Sequence, residues 1–255
     1  MDRITSVKNS NIVRLKALKT KKGRDAYDQY IAEGSVMVRD IPALNIKEIY
    51  VREDDALKYK DIIENTNAQV YMLTANVFQS VASQDTPSGI LTVLERQVPA
   101  EIPKERLVLV LDTIRDPGNM GTIIRSAVAM DVYDFILLEC VDPYNPKTVR
   151  ASMGSLVYAN LVIAAPEDLE QLLSGRMVVA LDASGDSLCQ FKPQTSMALI
   201  LGGEITGLSS KSRAIADKIV SIPMPSKKIE SLNAGVSASI ALFYITNHTA
   251  LVNHK

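Results

Sequence analysis

From Leu107 onward the chain carries six short apolar runs, at Leu107–Leu111, Phe135–Glu139, Leu161–Ala164, Met177–Leu181, Met197–Leu201 and Ile219–Ile222. They show almost no apolar–polar alternation, so each predicts a strand buried on both faces rather than one half in water. Helical stretches at Thr122–Met130, Pro166–Leu173, Ser209–Lys218 and Ser231–Leu251 separate several of them. Strands of this kind, alternating with helices, form a mostly parallel sheet covered on both sides.

The N-terminal part reads differently. Residues 9–22 predict a basic helix, and Ala26–Asp40 a second helix interrupted at Glu33-Gly34. Strands are expected at Ile46–Val51, Gln69–Leu73 and Ile90–Leu94, with a helix at Asp54–Thr66 between the first two. The stretch Gln97–Lys104 has two prolines and no periodicity and marks a boundary. The expectation is an α/β chain of two domains, residues 1–97 and 105–255. No run of eighteen apolar residues occurs, and Met1-Asp-Arg-Ile-Thr-Ser lacks the apolar stretch of a secretion signal. A cytoplasmic protein with no membrane partner follows as the expectation. Cys140 and Cys189 lie in apolar contexts without metal-ligand spacing and are expected as buried free thiols.

A net charge of −1 argues against a nucleic-acid partner until its distribution is considered. Residues 1–24 hold eight cations, Arg3, Lys8, Arg14, Lys16, Lys19, Lys21, Lys22 and Arg24, against the single acid Asp2. Such a cluster can neutralise several phosphates, and Lys19, Lys21 and Lys22 are its candidate RNA contacts. The plainer alternative is a solvated helix face. The two histidines, His248 and His254, both fall in the last eight residues, which excludes a Ser-His-Asp or Cys-His arrangement in the body of the chain and a His-rich metal site. Proton transfer would use Glu, Asp, Lys, Tyr, solvent or a substrate group.

Three polar islands fall at predicted strand ends. The first, Asp112 to Arg125, holds a Pro117-Gly118 turn and Asn119, with Thr122 as expected N-cap, which would put Arg125 in the first helical turn. A cation is unfavourable there, so an anion clamp is the functional alternative to a solvated arginine. The second, Pro143 to Gly154, carries Lys147 and Arg150 at a spacing suited to phosphate contacts. The third combines Leu201-Gly-Gly-Glu-Ile-Thr-Gly-Leu-Ser209 with Ile222-Pro-Met-Pro225 and Ser231-Leu-Asn233. Its two apolar runs are expected as adjacent strands opening into loops, the place where α/β sheets hold ligands. Gly202 and Gly207 have P-loop spacing, but Leu208 stands where the phosphate-reaching lysine would, and no G-x-G-x-x-G opens the first strand. Ser231 is read either as a site residue or as the cap of the last helix, whose Ala234–Ser239 stretch is small enough for close packing.

Together the islands resemble the SpoU/TrmH-type RNA ribose 2′-O-methyltransferases of the SPOUT superfamily. The matching residues are Asp116-Pro-x-Asn119-x-Gly121 to Arg125-x-Ala127, Lys147-x-x-Arg150-Ala-Ser-x-Gly154, Gly202-x-Glu204-x-x-Gly207-Leu, and Ile222-Pro-Met through Ser231-Leu-Asn233. The first domain resembles the L30e-like substrate-binding module through Glu33-Gly34 and Thr86-Pro-Ser-Gly-Ile90, with Ser88 departing from the usual Gln. The resemblance implies a trefoil-knotted parallel-sheet domain behind a smaller α/β domain, a homodimer, and S-adenosylmethionine as methyl donor without metal. It places Gly202, Ile222 and Leu232 around the cofactor and makes Asn119, Arg125, Glu204, Ser231 and Asn233 the catalytic and substrate-positioning set. It also implies structured RNA as substrate, 23S ribosomal RNA ahead of tRNA. A base-nitrogen methyltransferase and a non-catalytic ribosome-assembly protein on the same scaffold are the rival readings.

Overall fold

The computed structural model describes residues 1–225, 228–229 and 231–248. His254 and the last three residues of the predicted final helix lie outside them. The chain folds into two compact units: Met1–Gln97 with Asp142–Val157, and Val98–Val141 with the chain from Tyr158 on. The first unit therefore includes a segment that the expected contiguous division assigned to the second domain.

In the first unit β1 (Asp2–Ile4), β4 (Gln69–Leu73), β3 (Ile46–Arg52), β5 (Ile90–Glu95) and β2 (Gln29–Glu33) form one sheet in that order. β5 runs antiparallel to both its neighbours. Helix α1 (Ser10–Leu18) is capped by Asn9, whose side chain accepts from the Asn11 backbone N–H. It buries Ile12, Leu15 and Leu18 against Val77 and Phe78 of α5 (Ala75–Val81) and Tyr50, Leu73 and Leu91 of the sheet. Each such aliphatic side chain contributes roughly 1.5–3 kcal/mol. The expected helix over Ala26–Asp40 is corrected. Helix α2 (Lys21–Tyr27) stops at Asp28, which takes a left-handed φ of 53°, and β2 follows before α3 (Ser35–Asp40). The expected 54–66 helix is a 3-10 turn, Glu53–Tyr59, running into α4 (Lys60–Glu64).

The second unit is built on six parallel strands: β6 (Val108–Asp112), β7 (Asp134–Leu138), β8 (Asn160–Ala164), β9 (Met177–Ser187), β10 (Met197–Gly202) and β11 (Lys218–Ser221). Their spatial order is β11-β9-β10-β6-β7-β8. Val108, Val110, Ile136, Leu138, Ala198 and Ile200 pack on one face with Leu169 and Leu208, while Leu109, Phe135, Leu137, Val179 and Leu199 are buried on the other. Two covered faces are why the runs show no alternation. Helix α6 (Pro117–Ala129) follows β6, α7 (Pro146–Ser152) belongs to the first unit, and α8 (Leu169–Leu172), α9 (Ser210–Ile215) and α10 (Ala234–His248) complete the chain. The proline-bearing entry segment is fixed to the second unit. Arg176 donates to the carbonyls of Ile102, Pro103, Lys104 and Arg106 at 2.7–3.1 Å.

Two expectations are corrected. Helix α6 begins five residues before Thr122, because Asp116 caps it by accepting from the Asn119 N–H at 2.7 Å and Pro117 supplies the first turn. Arg125 is therefore in the third turn, and the dipole argument for a clamp there lapses. Cys189 is exposed in a 3-10 turn, Leu188–Gln190, rather than buried, while Cys140 is half-buried and its thiol is pushed up to about 11 by burial.

Candidate functional site

Helix α10 returns from β11 and packs along α6. Gly235 lies so near Thr122 that an added Cβ would stand 3.0 Å from its Cγ2, and Ser239 Oγ donates to Ser126 Oγ at 2.7 Å. The small-residue stretch serves this contact. A cavity of about 410 Å³ opens at the C-terminal strand ends beside it, a size suited to a cofactor or drug-sized ligand. Gly202, Glu204, Ile222, Ser231 and Leu232 all line it. The glycine loop after β10 folds back on itself through an isolated Gly203–Gly207 bridge. A Cβ on Gly202 would stand 2.3 Å from the Gly207 carbonyl carbon, so a side chain there would push the folded-back loop out of place. The buried Asp112 side chain accepts from the Ser209 N–H at 2.7 Å and fixes the far end of this loop to β6.

At the rim, three of the five expected catalytic residues form one network. Glu204 Oε1 accepts from Asn119 Nδ2 at 2.5 Å, Asn233 Nδ2 at 2.8 Å and the Ala234 N–H at 3.3 Å. Asn233 caps α10 through Oδ1, which accepts from the Gly235 and Val236 N–H groups at 2.9 and 3.3 Å. That fixes which way its amide points, and Nδ2 also donates to Asn119 Oδ1 at 2.9 Å. Asn233, not Ser231, is thus the helix cap, and the Glu204 carboxylate sits favourably at the positive end of the α10 dipole. Arg125 is exposed on α6 one position before Ser126, and its side chain makes no hydrogen bond or ion pair among the described residues.

The expected RNA-binding residues all fall in the first unit. Lys147 and Arg150 are exposed on α7, three residues apart. Lys19 Nζ donates to the Ala82 carbonyl at 2.7 Å, and burial lowers its pKa. Lys21 pairs with Asp25 at 2.6 Å, while Lys22 is exposed. Lys19 and Arg150, distant in sequence, line one small notch with Glu33. Of the remaining N-terminal cations, Arg3 pairs with Glu53, Arg14 with Glu48, and Arg24, 3% exposed, with Asp142.

One wall of the cavity went unread in the sequence. β9 lies between β10 and β11, so those two strands are not the neighbours expected, and Leu181, Asp182 and Ala183 in the middle of β9 line the cavity. Sequence order does not reveal this spatial order; the polar Asp182-Ala-Ser-Gly185 tail after an apolar run was the available sign. No group of three or more His, Cys, Asp or Glu side chains able to hold a metal occurs among the described residues.

Residues 106–243 match the SpoU rRNA Methylase family, and residues 9–92 match the MRM3-like substrate binding domain. The 23S rRNA (guanosine(2553)-2′-O)-methyltransferase RlmP of Bacillus subtilis is 31% identical over 96% of this chain and 99% of its own length. The 23S rRNA (uridine(2479)-2′-O)-methyltransferase of Streptomyces viridochromogenes is 30% identical over 69% of this chain and 66% of its own. The AdoMet-bound rRNA methyltransferase from Sinorhizobium meliloti shares the fold with a TM-score of 0.82 and 28% identity, covering 97% of this chain and 98% of that one. By these matches, across both units, the chain belongs to the SpoU rRNA methylase family.

Proposed function

We propose that the protein transfers the methyl group of S-adenosylmethionine to a ribose 2′-OH of 23S ribosomal RNA, acting as a cytoplasmic homodimer. Residues 1–97 would serve RNA binding and 105–255 catalysis, with Lys147 and Arg150 of α7 adding to the RNA-binding side. The observation that carries the reading is the Asn119–Glu204–Asn233 network at the rim of a 410 Å³ cavity floored by glycine backbone. The cavity fits the cofactor. Its volume is adequate, Leu181, Ile222 and Leu232 offer apolar walls, and Gly202, Gly203 and Gly207 line it with no side chain.

Bound there, S-adenosylmethionine supplies a methyl group on a cationic sulfur, and transfer to a ribose oxygen cancels charge. What the chain contributes is alignment of donor and acceptor, worth as much as ~7–11 kcal/mol. Glu204 holds the two asparagine amides fixed. Arg125, whose side chain makes no hydrogen bond or ion pair among the described residues, would clamp an RNA phosphate and the ribose hydroxyl. A guanidinium with a pKa above ~12 is a poor proton acceptor, so the hydroxyl proton leaves to an RNA phosphate or a water. His248 takes no part; it sits about 21 Å along α10 from Ala234 at 1.5 Å per residue.

The homodimer rests on the outer face of α10. Val236, Ile240 and Phe243, at i, i+4 and i+7, are 46%, 39% and 60% exposed, while Gly235, Ala238, Leu242 and Ile245 are buried on the inner face. A helix apolar on both sides is one meant to be covered on both.

Purified protein, S-adenosylmethionine and 23S rRNA from a strain lacking the gene should yield a 2′-O-methylnucleoside after digestion and mass spectrometry. A base-methylated nucleoside, a product on tRNA alone, or no product with intact cofactor binding would select the base-nitrogen, tRNA or non-catalytic reading instead.

A further inference from the structure

β9 does not run straight past the cavity. Against β10 it keeps register from Met177 to Leu181. Against β11 the pairing jumps from Ile219↔Ala180 to Val220↔Asp186, so residues 181–185 bulge from the ladder. Three of them, Leu181, Asp182 and Ala183, form a cavity wall. The bulge closes where Gly185 passes β11: a Cβ there would stand 2.5 Å from the Ile219 carbonyl group, which only glycine avoids. Ser221 Oγ donates to the Gly185 carbonyl at 2.8 Å and seals that side.

Inside the bulge, Asp182 is fully engaged. Its Oδ1 accepts from the Ser184 N–H at 2.9 Å and from Ser184 Oγ at 2.5 Å, an Asx turn. Its Oδ2 accepts from Arg213 Nη2 at 2.6 Å. The Ser184 hydroxyl first, with help from the Ser184 N–H and the Arg213 guanidinium, holds the Asp182 carboxyl below the usual carboxylate range. Arg213 belongs to α9, which grows directly out of the glycine loop and is capped by Ser209. One ion pair therefore joins two walls of the cavity, the β9 bulge and the loop after β10.

We infer that Asp182 and Arg213 are a positioning pair that sets the protein's affinity for its methyl donor by holding the bulge against the glycine loop. Neither side chain moves a proton or meets the transferred methyl. This rests on the reading that the cavity takes S-adenosylmethionine.

The test is calorimetry with S-adenosylmethionine on the full-length protein, its Arg213→Ala, Arg213→Lys and Asp182→Asn variants, and the Asp182→Asn/Arg213→Ala double variant. Steady-state kinetics on 23S rRNA accompanies it. The Arg213 side chain is 43% exposed, so the pair is partly screened and the expected loss for Arg213→Ala is about fivefold in Kd. KM for the cofactor should rise equally, with kcat at saturation and KM for RNA unchanged. Arg213→Lys should recover more than half of the loss. The double variant should bind no more weakly than the weaker single one, because each residue acts through the other. Wild-type affinity in Arg213→Ala overturns the inference. So do additive losses in the double variant, which would mean that Asp182 touches the cofactor itself, or a fall in kcat and melting temperature with Kd unmoved. A wild-type protein that fails to bind S-adenosylmethionine would fail the reading of the cavity, and this inference with it. Wild-type binding with unaltered variants would fail the inference alone.

Discussion

The two units use their polar side chains in opposite ways. In the first, the cations that crowd the N-terminus are largely consumed in holding the unit together: Arg14 on Glu48, Arg24 on Asp142, Lys19 on the Ala82 carbonyl, Lys21 on Asp25. In the second, Asn119, Glu204 and Asn233 bond to one another at an exposed rim and leave a cavity behind them. The difference teaches that a count of charges in a sequence is a weak guide to a binding surface. Polar residues placed just past strand ends are a better one, because the sheet has already used its own hydrogen-bonding groups there.

The largest effect should come from breaking a structural cation. Arg24 and Asp142 are 3% and 11% exposed, and Arg24→Met strands a buried carboxylate without its partner. A loss of about 3–5 kcal/mol is expected in denaturant unfolding. A loss under about 1 kcal/mol would show that Arg24 is not structural and return it to the candidate RNA surface.

Arg125→Lys tests the opposite kind of arginine. It keeps the charge and loses the planar fork, at an exposed position with no side-chain hydrogen bond or ion pair among the described residues. Methyl transfer should fall at least about a hundredfold, as when one preorganised donor is removed, while S-adenosylmethionine affinity stays within a few-fold. Loss of cofactor binding in a folded variant, or full turnover, would remove Arg125 from the reaction.

How far the sequence could be read follows the same contrast. The six strands of the second sheet were legible from their apolar runs, most clearly in β6, β7 and β10, where both faces are buried and no alternation breaks stretches such as Leu107–Leu111. β2 was not, because the turn ahead of it is made by Asp28 in a left-handed conformation with no glycine to mark it, and apolar residues continue on both sides. The start of α6 was written in Asp116-Pro117 but reads equally as a turn. Asn119, Glu204 and Asn233 were found singly, while their convergence depends on β10 lying beside β6 and α10 returning to α6. Asp182 was missed because the spatial order β11-β9-β10 is a property of the sheet and not of the chain order.

The outer face of α10 separates burial within a unit from burial between copies. Phe243→Glu removes a 60%-exposed apolar side chain, worth roughly 1.5–3 kcal/mol when buried, and leaves the buried residues of the inner face unchanged. Sedimentation at micromolar concentration should show about twice the 27.9 kDa chain mass for the wild type and a shift toward monomer for the variant. A wild-type monomer with full activity would leave this face without the partner proposed for it.

The smallest effect concerns the cations that the first unit leaves free. Among the described residues, the Lys22 and Arg150 side chains are exposed and carry no hydrogen bond or ion pair, whereas Lys21 is held by Asp25. Each free cation that meets a phosphate releases about one counterion, so Lys22→Ala or Arg150→Ala should flatten the salt dependence of RNA binding by roughly 0.9 of a slope unit. Lys21→Ala should flatten it by less, because the wild-type charge is already partly balanced by Asp25. Cofactor affinity should not change in any of the three. Equal slopes for all three variants would mean that RNA displaces the Asp25 pairing, and the division between structural and free cations would then not survive binding. An unaltered slope for Lys22→Ala would make the basic segment a solvated face, and one for Arg150→Ala would remove α7 from RNA recognition.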